Sequence, residues 1–219
     1  MESLSESVED YLKCIWMLER DGRVTTSEIA ERLEVSAASV TAMMKKLARL
    51  GLVEHEPYRG VALTPGGTRL ALEVIRHHRL LELYLMQALG LPWDRVHEEA
   101  ERLEHHLSDE LEARIDEALG HPPRDPHGDP IPTPKLELVR VDDHPLTDLE
   151  DGACAIVRRV PDDNPELLRY LAELGVIPAR PVVVVSRAPF DGPVTVEVGG
   201  RQHALSPALA QRIMVGGPA

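Results

Sequence analysis

Residues 25–54 read TTSEIAERLEVSAASVTAMMKKLARLGLVE. Thr25 and Glu28 stand three apart, the spacing at which a hydroxyl and a carboxylate satisfy each other's free backbone amides at a helix start. They open a short helix, Ser27–Leu33. Glu34-Val35 turns the chain, and Ser36 caps a second helix that runs to Leu50. Gly51 closes that helix in the left-handed conformation that a residue without Cβ adopts cheaply. Two short helices joined by a tight turn form a helix-turn-helix. Downstream, LVEHE and VALT flank Pro57-Tyr58-Arg59-Gly60 as a hairpin, which makes the motif a winged helix. Upstream, residues 5–20 predict an amphipathic helix with Val8, Leu12, Ile15, Trp16 and Leu18 at helical spacing.

In a winged helix the second helix of the motif enters the major groove with its N-terminal residues at the base edges. Here those are Ser36, Ala37, Ala38, Ser39 and Thr41. They are small, so the backbone approaches closely, but they offer few bidentate contacts. Lys45, Lys46 and Arg49 further along, with Tyr58 and Arg59 on the wing, suit phosphates. Any one of these lysines is equally well explained as a solvated surface charge. The agreement of helix lengths, caps, turn and wing favours DNA binding.

The 219 residues are 43% hydrophobic and 28% charged, the balance of a soluble globular protein. Aromatics are only 3%, which argues against stacking platforms for bases or sugars. A net charge of -13 opposes a general polyanion coat, leaves a local DNA-reading surface open, and provides carboxylates for cations. Residues 76–145 hold 16 acids against eight bases and eight of the 10 histidines, with five of them, His77, His78, His97, His105 and His106, on its helical part. No apolar run reaches the length of a membrane span, and Cys14 and Cys154 form no CxxC. A cytoplasmic protein is expected.

Segment 121–134, HPPRDPHGDPIPTP, contains six prolines and reads as a stiff extended linker. Beyond it AIVRRV, PVVVVSR and PVTVEV are short β-branched runs of a small barrel or sandwich. One helix, Pro165 to Leu174, interrupts them and stops at Gly175.

A long helix from Pro65 to Leu89 places His78 and Glu82 one turn apart. The next helix, beginning at Pro92, carries His97, Glu101, Glu104 and His105 at offsets that fall within about 100° of arc at 3.6 residues per turn. An isolated Glu-x-x-His-His is ordinarily a solvated face. A second His/Glu pair on the neighbouring helix favours a metal site. His121, His127, His144 and His203 have no ligand-like partners nearby in sequence and receive no role. Cys14, one turn from Asp10, reads as a small buried hydrophobe.

Together VEDYLKCIWMLE, the helix-turn-helix, YRGVALTPGG, HHRLLELYL, VHEEAERLEHHLSDELEARI and HGDPIPTP resemble the diphtheria toxin repressor family of metal-dependent transcriptional regulators, over residues 1–134. The resemblance implies a mainly α protein with a β-rich C-terminal domain. It implies a winged-helix DNA-binding domain at 1–73, a helical metal-binding and dimerisation domain at 74–130, a linker at 131–150, and an SH3-like β-barrel domain at 151–219. It further implies a primary metal site of Asp10, Glu101, Glu104 and His105, and an ancillary site of His78, Glu82 and His97. The third domain would complete the ancillary site, with Asp163 and Glu166 as the candidates. Function is then expected as a homodimer on a palindromic DNA operator, repressing metal uptake when metal is bound. Without metal, the gathered carboxylates are expected to repel and leave the first helix free to swing.

Iron-responsive members of the family carry Met and Cys at the positions of Asp10 and Glu101. Carboxylates there favour Mn²⁺, because hard oxygen replaces soft sulfur. Lys13 stands where the short manganese regulators with a dinuclear site place a Glu, and Ala42 where iron-responsive members tend to have Gln. Three alternatives stay open. Fe²⁺ accepts the same ligands. A winged-helix regulator sensing an organic ligand would need an apolar pocket. A metallohydrolase is disfavoured, since no HExxH, nucleophile elbow or phosphate loop is present.

Overall fold

The computed structural model describes residues 5–19, 23–56 and 60–217. The chain forms two compact units. One comprises Met1–His78, Leu103–Ser108 and Pro132–Glu137; the other comprises Arg79–Arg102, Asp109–Ile131 and Leu138–Ala219.

In the first unit, α1 (Glu6–Leu18) buries Val8, Tyr11, Leu12, Cys14 and Ile15. The capping box forms as its spacing demands: Glu28 N donates to Thr25 Oγ1 at 3.2 Å and Thr25 N to Glu28 Oε2 at 2.8 Å, opening α2 (Thr26–Arg32). Ser36 Oγ accepts from Ser39 N at 3.1 Å and starts α3 (Ala37–Arg49), which buries Val40, Met44 and Leu47 on one face. Gly51, at φ 71°, turns the chain into β1 (Val53–Glu56), which pairs antiparallel with β2 (Gly60–Leu63). Val24 bridges to Val61 and fastens the hairpin to the segment before α2. Leu12, Ile15, Ile29, Val40, Met44, Leu47 and Val61 form a fully buried core, each such side chain contributing about 1.5–3 kcal/mol. The winged helix is thus realised. Tyr58 and Arg59 of the wing lie outside the described residues.

Helix α4 (Pro65–Gln87) ends two residues short of its expected limit, and the division between the units falls within it. The helix expected from Pro92 through His105 differs more. Helix α5 (Val96–Leu103) stops, and Glu104–His106 wind into a tighter 3₁₀ turn before α6 (Asp109–Ala118). A 3₁₀ turn has about 3.0 residues per turn rather than 3.6. The continuous stripe through His97, Glu101, Glu104 and His105 is therefore broken at Glu104.

The second unit contains β3 (His144–Pro145), β4 (Cys154–Arg159), α7 (Pro165–Leu174), β5 (Pro181–Arg187), β6 (Val194–Val198), β7 (Arg201–Leu205), α8 (Pro207–Arg212) and β8 (Met214–Gly216). The strands make one antiparallel sheet in the order β3-β8-β4-β5-β6-β7. Alternation places Val194, Val196 and Val198 inward from β6, against Val157, Val184, Leu168, Leu171 and Leu205. Asn164 caps α7 through Glu166 N and Leu167 N, and Gly175 ends it at φ 77°.

The proline-rich segment is not an extended spacer. Residues 124–130 fold back on themselves, with Asp125 N donating to Asp129 O at 3.0 Å and Arg124 bridging to Pro130. Asp125, His127 and Ile131 are buried. Gly128, at φ 99°, passes so close to the backbone of Arg158 that a Cβ would lie 1.9 Å from its carbonyl oxygen. Proline removed amide donors that this loop does not need, because the Asp125 carboxylate supplies the acceptor for those that remain.

Candidate metal centres and nucleic-acid interface

In the first unit, Asp10 from α1 meets Glu104 and His105 from the 3₁₀ turn, with one ligand atom from each lying within 4.8 Å of the others. His105 Nε2 is 2.9 Å from Asp10 Oδ1 and 3.7 Å from Glu104 Oε1. Its other nitrogen, Nδ1, is 2.7 Å from Glu9 Oε2. Burial alone would disfavour an imidazolium at His105. The hydrogen bond to Glu9 and the charges of Glu104, Asp10 and Glu9 outweigh it and raise the pKa. Two carboxylates and an imidazole are hard or borderline donors, the set that suits Mn²⁺ or Fe²⁺.

Glu104 is completely buried, and its charge is answered from the same helix that carries Asp10. Lys13 Nζ, 9% exposed, donates to Glu104 Oε1 at 2.9 Å and Oε2 at 2.8 Å. His78 Nδ1 also pairs with Glu104 Oε2 and lies 3.2 Å from Lys13 Nζ. A carboxylate has about four lone-pair sites, so holding an ammonium leaves capacity for a metal. This corrects the expectation of uncompensated repulsion. Lys13 neutralises Glu104, His78 lies against the same carboxylate, and the first helix is tied to the 3₁₀ turn by Lys13–Glu104, Glu9–His105 and Asp10–His105. Burial pushes the Cys14 thiol up to about 11, so it remains a protonated hydrophobe as expected.

Three of the four residues expected at the primary site therefore converge. Glu101 belongs to the second unit, where its Oε1 lies 3.8 Å from His97 Nε2 one turn away on α5.

A second cluster, in the second unit, joins Glu82 of α4, His127 of the proline-rich loop and Asp162, again with one ligand atom each within 4.8 Å. Glu82 is fully buried; His97 Nδ1 lies 3.0 Å from its Oε1, and His127 Nδ1 lies 3.5 Å from its Oε2. His127 Nε2 donates to the Trp93 carbonyl at 2.8 Å, which aims Nδ1 at Glu82. That Nδ1 is buried with no hydrogen-bond partner among the described residues, as a ligand atom awaiting a cation would be. The loop is held by Asp125, whose Oδ1 accepts from the backbone of His127 and Gly128 at 2.8 Å and Asp129 at 3.0 Å. Burial opposes the imidazolium of His127, yet Glu82, Asp125 and Asp162 raise its pKa to about 9. Burial, then the charges of Asp129 and Glu82, raises that of Asp162. Burial, then the charges of Glu82 and Asp129, raises Asp125 well above its ordinary value.

Of the expected ancillary residues, Glu82 and His97 meet in this unit; His78 lies at the end of the first unit's share of α4. The third-domain candidates need correction. Asp163 pairs instead with Arg212 at 2.6 Å, and Glu166 is solvent-exposed at the start of α7. Asp162, one residue earlier, enters the cluster. His127, given no role from sequence, is its most buried histidine. The signal that could have found it is the His-Gly-Asp run inside a proline-rich segment, where a buried turn needs an anchored side chain.

On α3, Ser36, Ala37, Ala38, Ser39, Thr41, Lys45, Lys46 and Arg49 are all exposed. Thr41 Oγ1 donates to Ala37 O at 2.8 Å and Arg49 Nε to Lys45 O at 3.2 Å, so both side chains lie along the helix. Among the described residues no helix is long and apolar enough to cross a membrane.

Comparison with known proteins agrees with this arrangement. Residues 3–61 match the iron dependent repressor N-terminal DNA binding domain, residues 64–133 its metal binding and dimerisation domain, and residues 144–216 the FeoA domain. The iron-dependent repressor IdeR of Mycobacterium leprae is 34% identical over 94% of this chain and 95% of its own length. The diphtheria toxin repressor of Corynebacterium diphtheriae is 33% identical over 98% of this chain and 99% of its own. A solved manganese-dependent transcriptional repressor in complex with manganese is 41% identical, with a TM-score of 0.90 over 96% of this chain and all of that one. With its winged helix, its carboxylate–imidazole clusters and its β-rich third domain, the chain belongs to the diphtheria toxin repressor family of metal-dependent, DNA-binding, dimerising transcriptional repressors.

Proposed function

We propose that this repressor responds to Mn²⁺ and is not an enzyme, and that as a metal-loaded homodimer it binds a palindromic operator and silences metal-uptake genes. The observation that carries the reading is the convergence of Asp10, Glu104 and His105. Relatives named as iron-dependent and as manganese-dependent are both similar to this chain. The choice of Mn²⁺ rests on the donor set, two carboxylates and an imidazole with the only nearby thiol, Cys14, kept protonated. Fe²⁺ is the second reading, because it accepts the same donors.

Asp10 belongs to α1 of the winged helix, whereas Glu104 and His105 come from a turn distant in sequence. A divalent ion, when bound, supplies the positive charge that lets these donors share one centre. Lys13 holds the Glu104 carboxylate in place and His105 presents Nε2 towards Asp10, so the donors are already gathered. Joining them fixes α1, and through its buried face the helix-turn-helix. Coupling between effector and DNA of this kind is typically about 1–3 kcal/mol, and operator DNA must tighten metal binding by the same factor. In the second unit Glu82, His127 and Asp162, beside His97, form the ancillary centre.

Operator binding measured across Mn²⁺, Fe²⁺ under anaerobic conditions, Co²⁺ and Zn²⁺, with a chelator control, tests this. Mn²⁺ should activate at the lowest free concentration, and chelator should abolish binding. Asp10→Ala should remain folded and bind operator poorly with metal present. Full metal-dependent operator binding by that variant would show that α1 donates no ligand.

A further inference from the structure

Two adjacent residues of α1 grip opposite edges of one imidazole. Asp10 Oδ1 is 2.9 Å from His105 Nε2, and Glu9 Oε2 is 2.7 Å from His105 Nδ1. Glu9 is not among the groups that converge on Nε2. The His105 side chain is only 7% exposed, so solvent has little access with which to orient the ring. A neutral imidazole carries one N–H and one lone pair, and an ionised carboxylate only accepts. With Glu9 accepting from Nδ1–H, the proton that a cation displaces is the one on Nε2, which leaves the lone pair on the nitrogen that faces both Asp10 and Glu104.

We propose that Glu9 is a positioning residue of the first centre. It fixes the tautomer and orientation of His105 so that Nε2 is the ligating atom. The inference rests on Asp10, Glu104 and His105 being a metal site. It adds a residue that donates no ligand and acts only through the ring. Carboxylates that accept from the far nitrogen of a ligating histidine set its orientation and basicity, and their loss typically costs 10–100-fold in metal affinity. Residues 9 and 10 thus divide the work: one offers an oxygen to the cation, and its neighbour holds the histidine steady.

The test compares Glu9→Ala, Glu9→Gln and Asp10→Ala by Mn²⁺ calorimetry in an Asp162→Ala background, which silences the second centre. Thermal unfolding verifies that each variant folds. Glu9→Ala should weaken Mn²⁺ about tenfold or more. Glu9→Gln should retain most of the affinity, because its amide oxygen accepts the same hydrogen bond. Long-range ¹H–¹⁵N imidazole spectra of the Zn²⁺-loaded protein should show His105 coordinated through Nε2 and protonated on Nδ1. In Glu9→Ala that single signature should be lost. Equal losses in Glu9→Gln and Glu9→Ala would make Glu9 a ligand and overturn the positioning role. So would an unchanged ring signature with unchanged affinity in Glu9→Ala. If Asp10→Ala also keeps full affinity, the metal-site reading itself fails; if Asp10→Ala weakens and Glu9→Ala does not, the positioning role alone fails.

Discussion

Lys13 and His127 show how single side chains set the behaviour of the two clusters. Lys13 donates to both oxygens of a fully buried Glu104. Removing one partner of a buried pair leaves a stranded charge, which typically costs about 3–5 kcal/mol. Lys13→Met should therefore lower the thermal stability of the protein in chelator, and added Mn²⁺ should recover part of the loss; an unchanged melting temperature would contradict the pairing. His127 behaves differently because its pKa is raised to about 9 from an ordinary 6.5. Its imidazolium contributes stability that is present in full below pH 6.5 and is lost as pH rises towards 9. A ligating histidine must give up that proton, so Mn²⁺ affinity at this cluster should climb by up to about tenfold per pH unit between about pH 7 and 9. Calorimetry in an Asp10→Ala background would measure it, and a flat profile would remove His127 from the ligand set. Sequence spacing found Glu104, His105, Glu82 and His97, because each sits on or beside a helix whose period is regular, while Asp10 came only from the family resemblance. It gave His127 no role, and it chose Asp163 where Asp162 is the residue that joins the Glu82–His127 cluster. Those two lie in loops, where no period tells which of two neighbouring side chains points inward.

Among the elements, the winged helix was legible almost residue for residue, since caps and turn residues act locally. Thr25, Glu28, Ser36 and Gly51 do what their chemistry requires irrespective of tertiary context. Strands β4, β5 and β6 were legible from β-branching. The short β3, β7 and β8 carry too little pattern and owe their pairing to the sheet. The break between α5 and the 3₁₀ turn was hidden because nothing in ERLEHHLSD forbids a continuous helix; Leu107-Ser108 and the capture of Glu104 by Lys13 decide it. The loop at 124–130 was misread because proline content describes missing donors, not the acceptor that Asp125 provides. Gly128 is the element on which that loop depends. Gly128→Ala would bring a methyl within 1.9 Å of Arg158 O at a φ of 99° that L-residues resist. It should destabilise the protein by more than about 3 kcal/mol and weaken metal binding at His127, both visible in denaturant unfolding followed with and without Mn²⁺.

For the molecule as a whole, the acidic excess of -13 and the cationic side chains of α3 act against each other. Lys45, Lys46 and Arg49 are the exposed cations that α3 offers to phosphates, and with them in contact operator affinity should fall linearly on a log–log plot against salt. Replacing Lys45 with Ala should reduce that slope by roughly one per contact in each protomer. A salt-independent complex would place the contact elsewhere. The scarcity of aromatic residues has another result. The chain holds two tryptophans, Trp16 in the first unit and Trp93 in the second. The Trp93 ring lies 5.6 Å, centroid to centroid, from that of His127. Each unit thus carries one tryptophan, which excitation at the red edge selects over the tyrosines, and a paramagnetic ion held by His127 would quench Trp93 at close range. Paired Trp16→Phe and Trp93→Phe proteins would let the filling of the two centres be followed by colour and lifetime alone, giving the order in which they load without any added dye.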